Sequence, residues 1–125
     1  MTTWTSDELN KIGDSEELRI ASLRQDGTLR KPVIIWVVCI GDELYVRSVN
    51  GRTSAWFRSV QTRHEGQIRA GGVVKDVTLI EESDANINSQ IDAAYATKYR
   101  RYAESIINHI NGSEARAATI KLVPR

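Results

Sequence analysis

The sequence predicts an α+β fold, a closed antiparallel barrel of six strands with helices on its outside. Three observations carry this reading. Short alternating or β-branched runs follow one another through tight turn signals at Asp26-Gly27, Gly41-Asp42, Asn50-Gly51 and Gly71-Gly72. One short helical pattern crosses the middle of the chain, and one long helical pattern precedes a last strand. A ferredoxin-like sandwich is the competing architecture, and the opening series of three hairpin-linked strands disfavours it. At 125 residues the chain is one domain, 1–125, long enough to bury roughly two-thirds of its unfolded surface.

Taken in order, Thr5 and Glu8 form a capping-box pair, which predicts a short helix over Ser6–Ile12 stopped by Gly13 as a lid or edge element. Leu18–Leu23 alternates as a half-buried strand does. Lys31–Ile40 holds Val-Ile-Ile-Trp-Val-Val and reads as one central strand covered on both faces. Glu43–Val49 follows, with Leu44, Val46 and Ser48 on one face and Tyr45, Arg47 and Val49 on the other. Thr53–His64 has helical spacing, with Trp56 and Val60 inward and Phe57 beside them, and Glu65-Gly66 marks its end. Strands come next at Gln67–Ala70 and Val73–Glu81. Ser83 or Asp84 caps a single long helix over Ala85–Asn111, Gly112 stops it, and Ala118–Val123 makes the sixth strand.

The formal charge of +1 argues against a dedicated nucleic-acid binder, yet the charges are segregated along the chain. Acids dominate up to Asp26. From Leu44 to Lys75 the charges are Arg47, Arg52, Arg58, Arg63, Arg69 and Lys75 against Glu65 alone, which predicts an anion site. The lone Cys39 ends an apolar run and forms no internal disulfide, so a reducing compartment fits. The polar, acidic start has no apolar leader pattern and no stretch reaches membrane-spanning length, so the expectation is a cytoplasmic protein. Two histidines and one cysteine make no metal site by spacing, and neither a phosphate-binding P-loop nor a nucleophile elbow occurs.

Three places carry candidate chemistry. The first is the run Arg47-Ser48-Val49-Asn50-Gly51-Arg52-Thr53-Ser54, which leaves a strand, turns and opens a helix. Backbone N–H groups at a helix start, hydroxyls from Ser48 and Ser54, and the guanidinium forks of Arg47 and Arg52 are what a phosphate needs. An ordinary turn with solvated arginines is the alternative. The second is Arg30-Lys31 ahead of Pro32, two cations at a strand entrance that either join that site or are simply solvated. The third is the inward stripe of the long helix, where Lys98 lies among Tyr95, Tyr99 and Tyr102. A lysine beside phenols serves acid/base or ligand-binding chemistry, or else snorkels to water over an amphipathic core. Tyr95 and Lys98 are one residue too close for a Tyr-x-x-x-Lys dyad. Trp36, Trp56 and Phe57 either wall a planar ligand or belong to the core.

The run Asp26–Pro32 with Trp36, then Leu44–Ser48, Trp56-Phe57-Arg58, Ala70–Gly72, Ala93–Tyr95, Lys98-Tyr99 and Tyr102, resembles an uncharacterised bacterial family of unknown function over nearly the whole chain. That family is similar to the FMN-binding split-barrel superfamily, which includes pyridoxamine phosphate oxidase-like proteins and deazaflavin-dependent nitroreductases. The resemblance implies a six-stranded split barrel, a homodimer, and FMN or the deazaflavin F420 held near the dimer interface. Gly27, Arg30, Pro32, Ser48, Gly51 and Trp56 fall where the nitroreductase branch has like residues. The chain departs from it at Trp56-Phe57-Arg58-Ser59-Val60 and His64-Glu65-Gly66, where that branch carries Trp-aromatic-His-Asn-Leu and an Asn-Pro.

Two functions follow as expectations. In one, a flavin or deazaflavin oxidoreductase holds its cofactor with Arg30, Lys31, Arg47, Ser48, Asn50, Gly51, Arg52, Ser54 and Trp56. In the other, a cofactor-free module binds or isomerises an acidic metabolite in the same pocket, with Tyr95, Lys98 and Tyr99 as contacts or acid/base groups. Neither reading involves nucleic acid, membrane or metal.

Overall fold

The computed structural model describes residues 3–125. Helix α1 (Ser6–Gly13) begins with the expected capping box, Thr5 accepting from the Glu8 N–H while Glu8 accepts from the Thr5 N–H. The strands are β1 (Leu18–Ser22), β2 (Val33–Ile35), β3 (Val37–Ile40), β4 (Glu43–Arg47), β5 (Glu65–Ala70), β6 (Val73–Glu81) and β7 (Thr119–Pro124). A 3-10 turn (Gly51–Thr53) leads into α2 (Ala55–Thr62). Between β6 and β7 lie α3 (Ala85–Lys98), α4 (Glu104–Ile110) and α5 (Ser113–Arg116).

All seven strands form one antiparallel sheet in the order β2-β1-β5-β6-β7-β4-β3. The two ends of that order are consecutive in the chain, separated only by Trp36. The sheet therefore closes through covalent continuity: one extended segment pairs with β1 on its first half and with β4 on its second. The expected single strand over Lys31–Ile40 is this segment, and its change of partner at Trp36 turns six expected strands into seven. The backbone cannot stay in register with both neighbours, so it breaks where it crosses between them.

The barrel is filled by the inward sides of its strands, including Ile20, Ile35, Val37, Leu44, Val46, Ile68, Leu79 and Ile120, and Ile12, Phe57 and Val60 from α1 and α2 join them. Phe57 and Val60, rather than Trp56, carry the buried face of α2. A second core lies outside the barrel, where Val38 and Tyr45 meet Ile91, Tyr95, Tyr99 and Ile110 from α3 and α4. Alternation along β3 and β4 thus serves two cores, which explains why this stretch is apolar on both faces.

The long helix expected over Ala85–Asn111 is broken. Asp84 caps α3 as expected, but the helix ends at Lys98, and a turn closed by the Tyr102 N–H on the Tyr99 carbonyl leads to α4. The cause is tertiary. Trp36 stacks flat on Tyr99, with ring centroids 3.8 Å apart, and packs against Tyr102 at 4.9 Å. Both tyrosines therefore face one strand crossing, and the apolar spacing runs across the break as if the helix were continuous.

Candidate functional site

Most of the side-chain donors expected of the 47–54 turn are already taken within the fold. Arg47 is wholly buried on the outer side of β4, beneath α3 and α4. Its Nε donates to Thr119 Oγ1 at 3.0 Å, and Nη2 donates to Asn88 Oδ1 and to the Asn88 carbonyl. Nη1 donates to Asp92 Oδ1 at 2.5 Å, to Asn111 Oδ1 and to the Ile110 carbonyl. The guanidinium thus ties α3, the end of α4 and β7 to the barrel. Ser48 Oγ, also buried, donates to the Gly51 carbonyl and lies 2.7 Å from Ser54 Oγ. The Gly51 N–H is bonded to the Ser48 carbonyl. Arg52 is exposed, but its Nη1 donates to Glu81 at 2.7 Å and to the Ala117 carbonyl, and its guanidinium covers the Phe57 ring. Asn50 faces solvent, and Trp56 is half-buried with its ring edge-on to Phe57.

The Tyr-Lys face of α3 sits on the barrel crossing. Tyr95 Oη donates to the Trp36 carbonyl at 3.0 Å. Lys98 Nζ donates to the Val37 carbonyl at 2.6 Å, and Tyr99 Oη both donates to the Glu16 carbonyl at 2.6 Å and accepts from the Val37 N–H at 3.3 Å. These side chains satisfy backbone groups that the strand frees when it changes partner. Burial pushes both phenols far up, so they stay protonated at any working pH. Burial pushes the Lys98 ammonium down to about 8, against the opposing pull of Asp14, Cys39 and Glu16. Lys98 also borders a shallow cavity of about 410 Å³ with Cys39, Gly13 and Ala94, and burial raises the Cys39 thiol.

Free basic groups converge elsewhere. Arg19 on β1 and Arg69 on β5 are direct cross-strand partners, both exposed on the outer face of the barrel. In that register their Cβ atoms lie about 5 Å apart. With Arg30, Gln67, Pro32 and Leu29 they line a cleft of about 300 Å³. Arg30 also borders a shallower basin along α2 with Arg58 and Ser59. Among the described residues none of these four arginines has an ion-pair partner, whereas Arg63 and Lys75 pair with Glu65 and Glu8. Lys31 is exposed at the entrance to β2. Of the cofactor-holding residues expected from the sequence, only Arg30 lines this cleft, together with Pro32 of the same run and Arg69 of the basic segment. Arg19 and Gln67 were missed because nothing local sets the pairing of β1 with β5, although the alternation of each strand places both residues outward.

No group of three or more histidine, cysteine, aspartate or glutamate residues that could hold a metal ion occurs among the described residues. No described helix is long and apolar enough to cross a membrane.

A closed antiparallel barrel seamed at one strand, with helices packed on its outside, is the architecture of the split-barrel proteins. The chain belongs to the bacterial family DUF2255, described as an uncharacterized protein conserved in bacteria, whose pattern matches residues 8–122. Among solved structures it is similar to a candidate pyridoxamine 5′-phosphate oxidase from Listeria innocua, at 15% identity and TM-score 0.66 over 94% of this chain and 90% of that one. It is also similar to the heme storage protein HutZ of Vibrio cholerae, at 14% identity and TM-score 0.65 over 100% and 92% of the two chains. An F420 reductase matches at 13% identity and TM-score 0.58 over 94% and 90%. Likeness at this identity shows the shared fold. No curated protein matches the sequence.

Proposed function

We propose that this chain is a small-molecule-binding split barrel whose ligand is an organic anion seated on Arg19, Arg30 and Arg69. One observation carries the reading: two arginines stand directly opposite each other across a strand pair, with no ion-pair partner among the described residues, in a cleft of molecular size. Like charges in that position cost stability, and an anion bridging them offsets the cost. Solved neighbours named for F420, FAD and heme place cofactor binders on this fold and support the coarser role.

The finer reading is a flavin or deazaflavin oxidoreductase. Three guanidinium forks fit the phosphate of FMN or F420, and Arg58 shares a basin with Arg30 from which it can add charge. The consumed donors of the 47–54 turn do not fit it. When bound, such a cofactor supplies hydride chemistry that no side chain here provides, while the protein binds and orients it. Titration calorimetry with FMN, riboflavin and inorganic phosphate tests this. FMN and phosphate should bind, riboflavin should bind far more weakly, and Arg69→Gln should weaken FMN by about 1.5–3 kcal/mol. Equal affinity for FMN and riboflavin, or indifference to Arg69, would remove the cleft as the anion site.

A second reading rests on Lys98, whose amine borders a cavity and is pushed down to about 8 by burial. There a cofactor-free protein would use Lys98 as a base toward an acidic metabolite, with Tyr95 and Tyr99 fixing the strand beneath it. Lys98→Met, which keeps the packing stem, should then abolish turnover without unfolding the chain.

A further inference from the structure

We propose that the groove between β2 and α4 takes the apolar body of the anion whose head sits on the arginine cleft, so that the ligand is an amphipathic anion with an aliphatic body. The inference rests on the organic-anion reading of the cleft above and competes with its flavin form, since a flavin ring is not an aliphatic body.

The groove has a volume of about 440 Å³ and is walled by Ile34, Trp36, Val49 and Ile106, with Ser105 and His109 its only polar residues and no charged one. Six large apolar residues are exposed among the described residues, and three of them, Ile34, Val49 and Ile106, converge here at 51%, 38% and 46% exposure. Scattered apolar residues need no explanation, whereas three gathered in one concavity mark a binding surface.

The groove and the arginine cleft adjoin along β2. Ile34 is the direct cross-strand partner of Arg19, on the same outward face. Pro32 borders the cleft, Trp36 borders the groove, and Ile34 stands between them at two-residue spacing. At a rise of about 3.3 Å per residue the path from Pro32 to Trp36 is roughly 13 Å, the length of a small amphiphile. A charged end and an apolar end on one strand face define what fits: a phosphate or carboxylate head on Arg19, Arg30 and Arg69, and a hydrocarbon body along Ile34 toward Ile106. A second copy of the chain fits less well, because a two-fold contact centred on this row would set unpaired arginines against arginines.

Calorimetry with inorganic phosphate, ethyl phosphate and hexyl phosphate tests the proposal on the intact chain, with hexanoate in parallel to separate a carboxylate head from a phosphate head. A fully buried methylene adds about fourfold in affinity, so four extra methylenes in a half-open groove should give at least about tenfold for hexyl over ethyl phosphate. Ile106→Asp should erase that gain while ethyl phosphate still binds, and Arg69→Gln should weaken both phosphates alike. Equal affinity for ethyl and hexyl phosphate, with both dependent on Arg69, would overturn the amphipathic ligand and leave the anion cleft standing. Failure of phosphate and every alkyl phosphate to bind would overturn the cleft itself. A chain-length effect absent from wild type together with a dimer that Ile106→Asp dissociates in light scattering would assign the groove to a second copy, and that also overturns the proposal.

Discussion

Arg47 has the burial of a core residue and the hydrogen-bonding capacity of a surface one. Its partners come from Asn88, Asp92, Asn111 and Thr119, so truncation strands several polar groups beneath α3 and α4. Breaking one side of a buried ion pair costs about 3–5 kcal/mol; Asp92 is partly exposed and keeps Arg116 as a partner, so Arg47→Met should lower the unfolding free energy by at most that amount in urea titrations. An effect on ligand affinity without a loss of stability would contradict this role. The sequence assigned Arg47 to a phosphate site, and its place in the fold was not legible because its partners lie 41 to 72 positions away. Lys98 makes a second prediction at this scale. Its folded pKa of about 8 lies below that of an unfolded lysine, so between pH 8 and about 10 the unfolded chain binds more protons and stability should rise with pH. The raised Cys39 thiol opposes that rise from about pH 8.5, and above about pH 10 the buried phenols of Tyr95 and Tyr99 reverse it, because the unfolded chain ionises first. Thermal melts of wild type should show that rise, and Lys98→Met should flatten it while being the more stable protein at pH 7.

Elements differ in how much of their cause is local. The capping box of α1, the Asp84 cap of α3 and the Gly71-Gly72 turn were legible because each is fixed by residues within a few positions. The breaks at Trp36 and after Lys98 were not, because each arises where two distant elements meet, and the apolar spacing continues through both. The β5–β6 turn allows a clean test. Gly71 and Gly72 have φ of +57° and +83°, so alanine at either strains the backbone, by about 1 kcal/mol. A Cβ on Gly72 would meet open space, whereas one on Gly71 would lie 2.3 Å from the Lys11 carbonyl oxygen of α1. Gly71→Ala should therefore be clearly more destabilising than Gly72→Ala in parallel denaturant titrations. Equal losses would mean that α1 yields at that contact.

For the whole molecule, the proposed arginine cleft predicts a stability that depends on anions. A ligand that binds only the folded state raises its stability by mass action, so the melting temperature should climb with added phosphate at constant ionic strength, and Arg19→Gln or Arg69→Gln should abolish the climb. The homodimer implied by the split-barrel resemblance is a proposal, and the stack of Trp36 on Tyr99 takes up aromatic surface within one chain. Light scattering at tens of micromolar decides it, with twice the 14.0 kDa chain mass expected for a dimer. Strand β7 carries a further consequence. It lies between β6 and β4, pairs with both, and is latched by the Trp4 indole, which donates to the Leu122 carbonyl at 2.9 Å. A chain still being made on the ribosome holds the two halves of its sheet as separate flaps until residues 119–124 emerge. Closure is then late and all at once, and the unpaired borders of β4 and β6 are the surfaces a nascent chain must keep from other polypeptides.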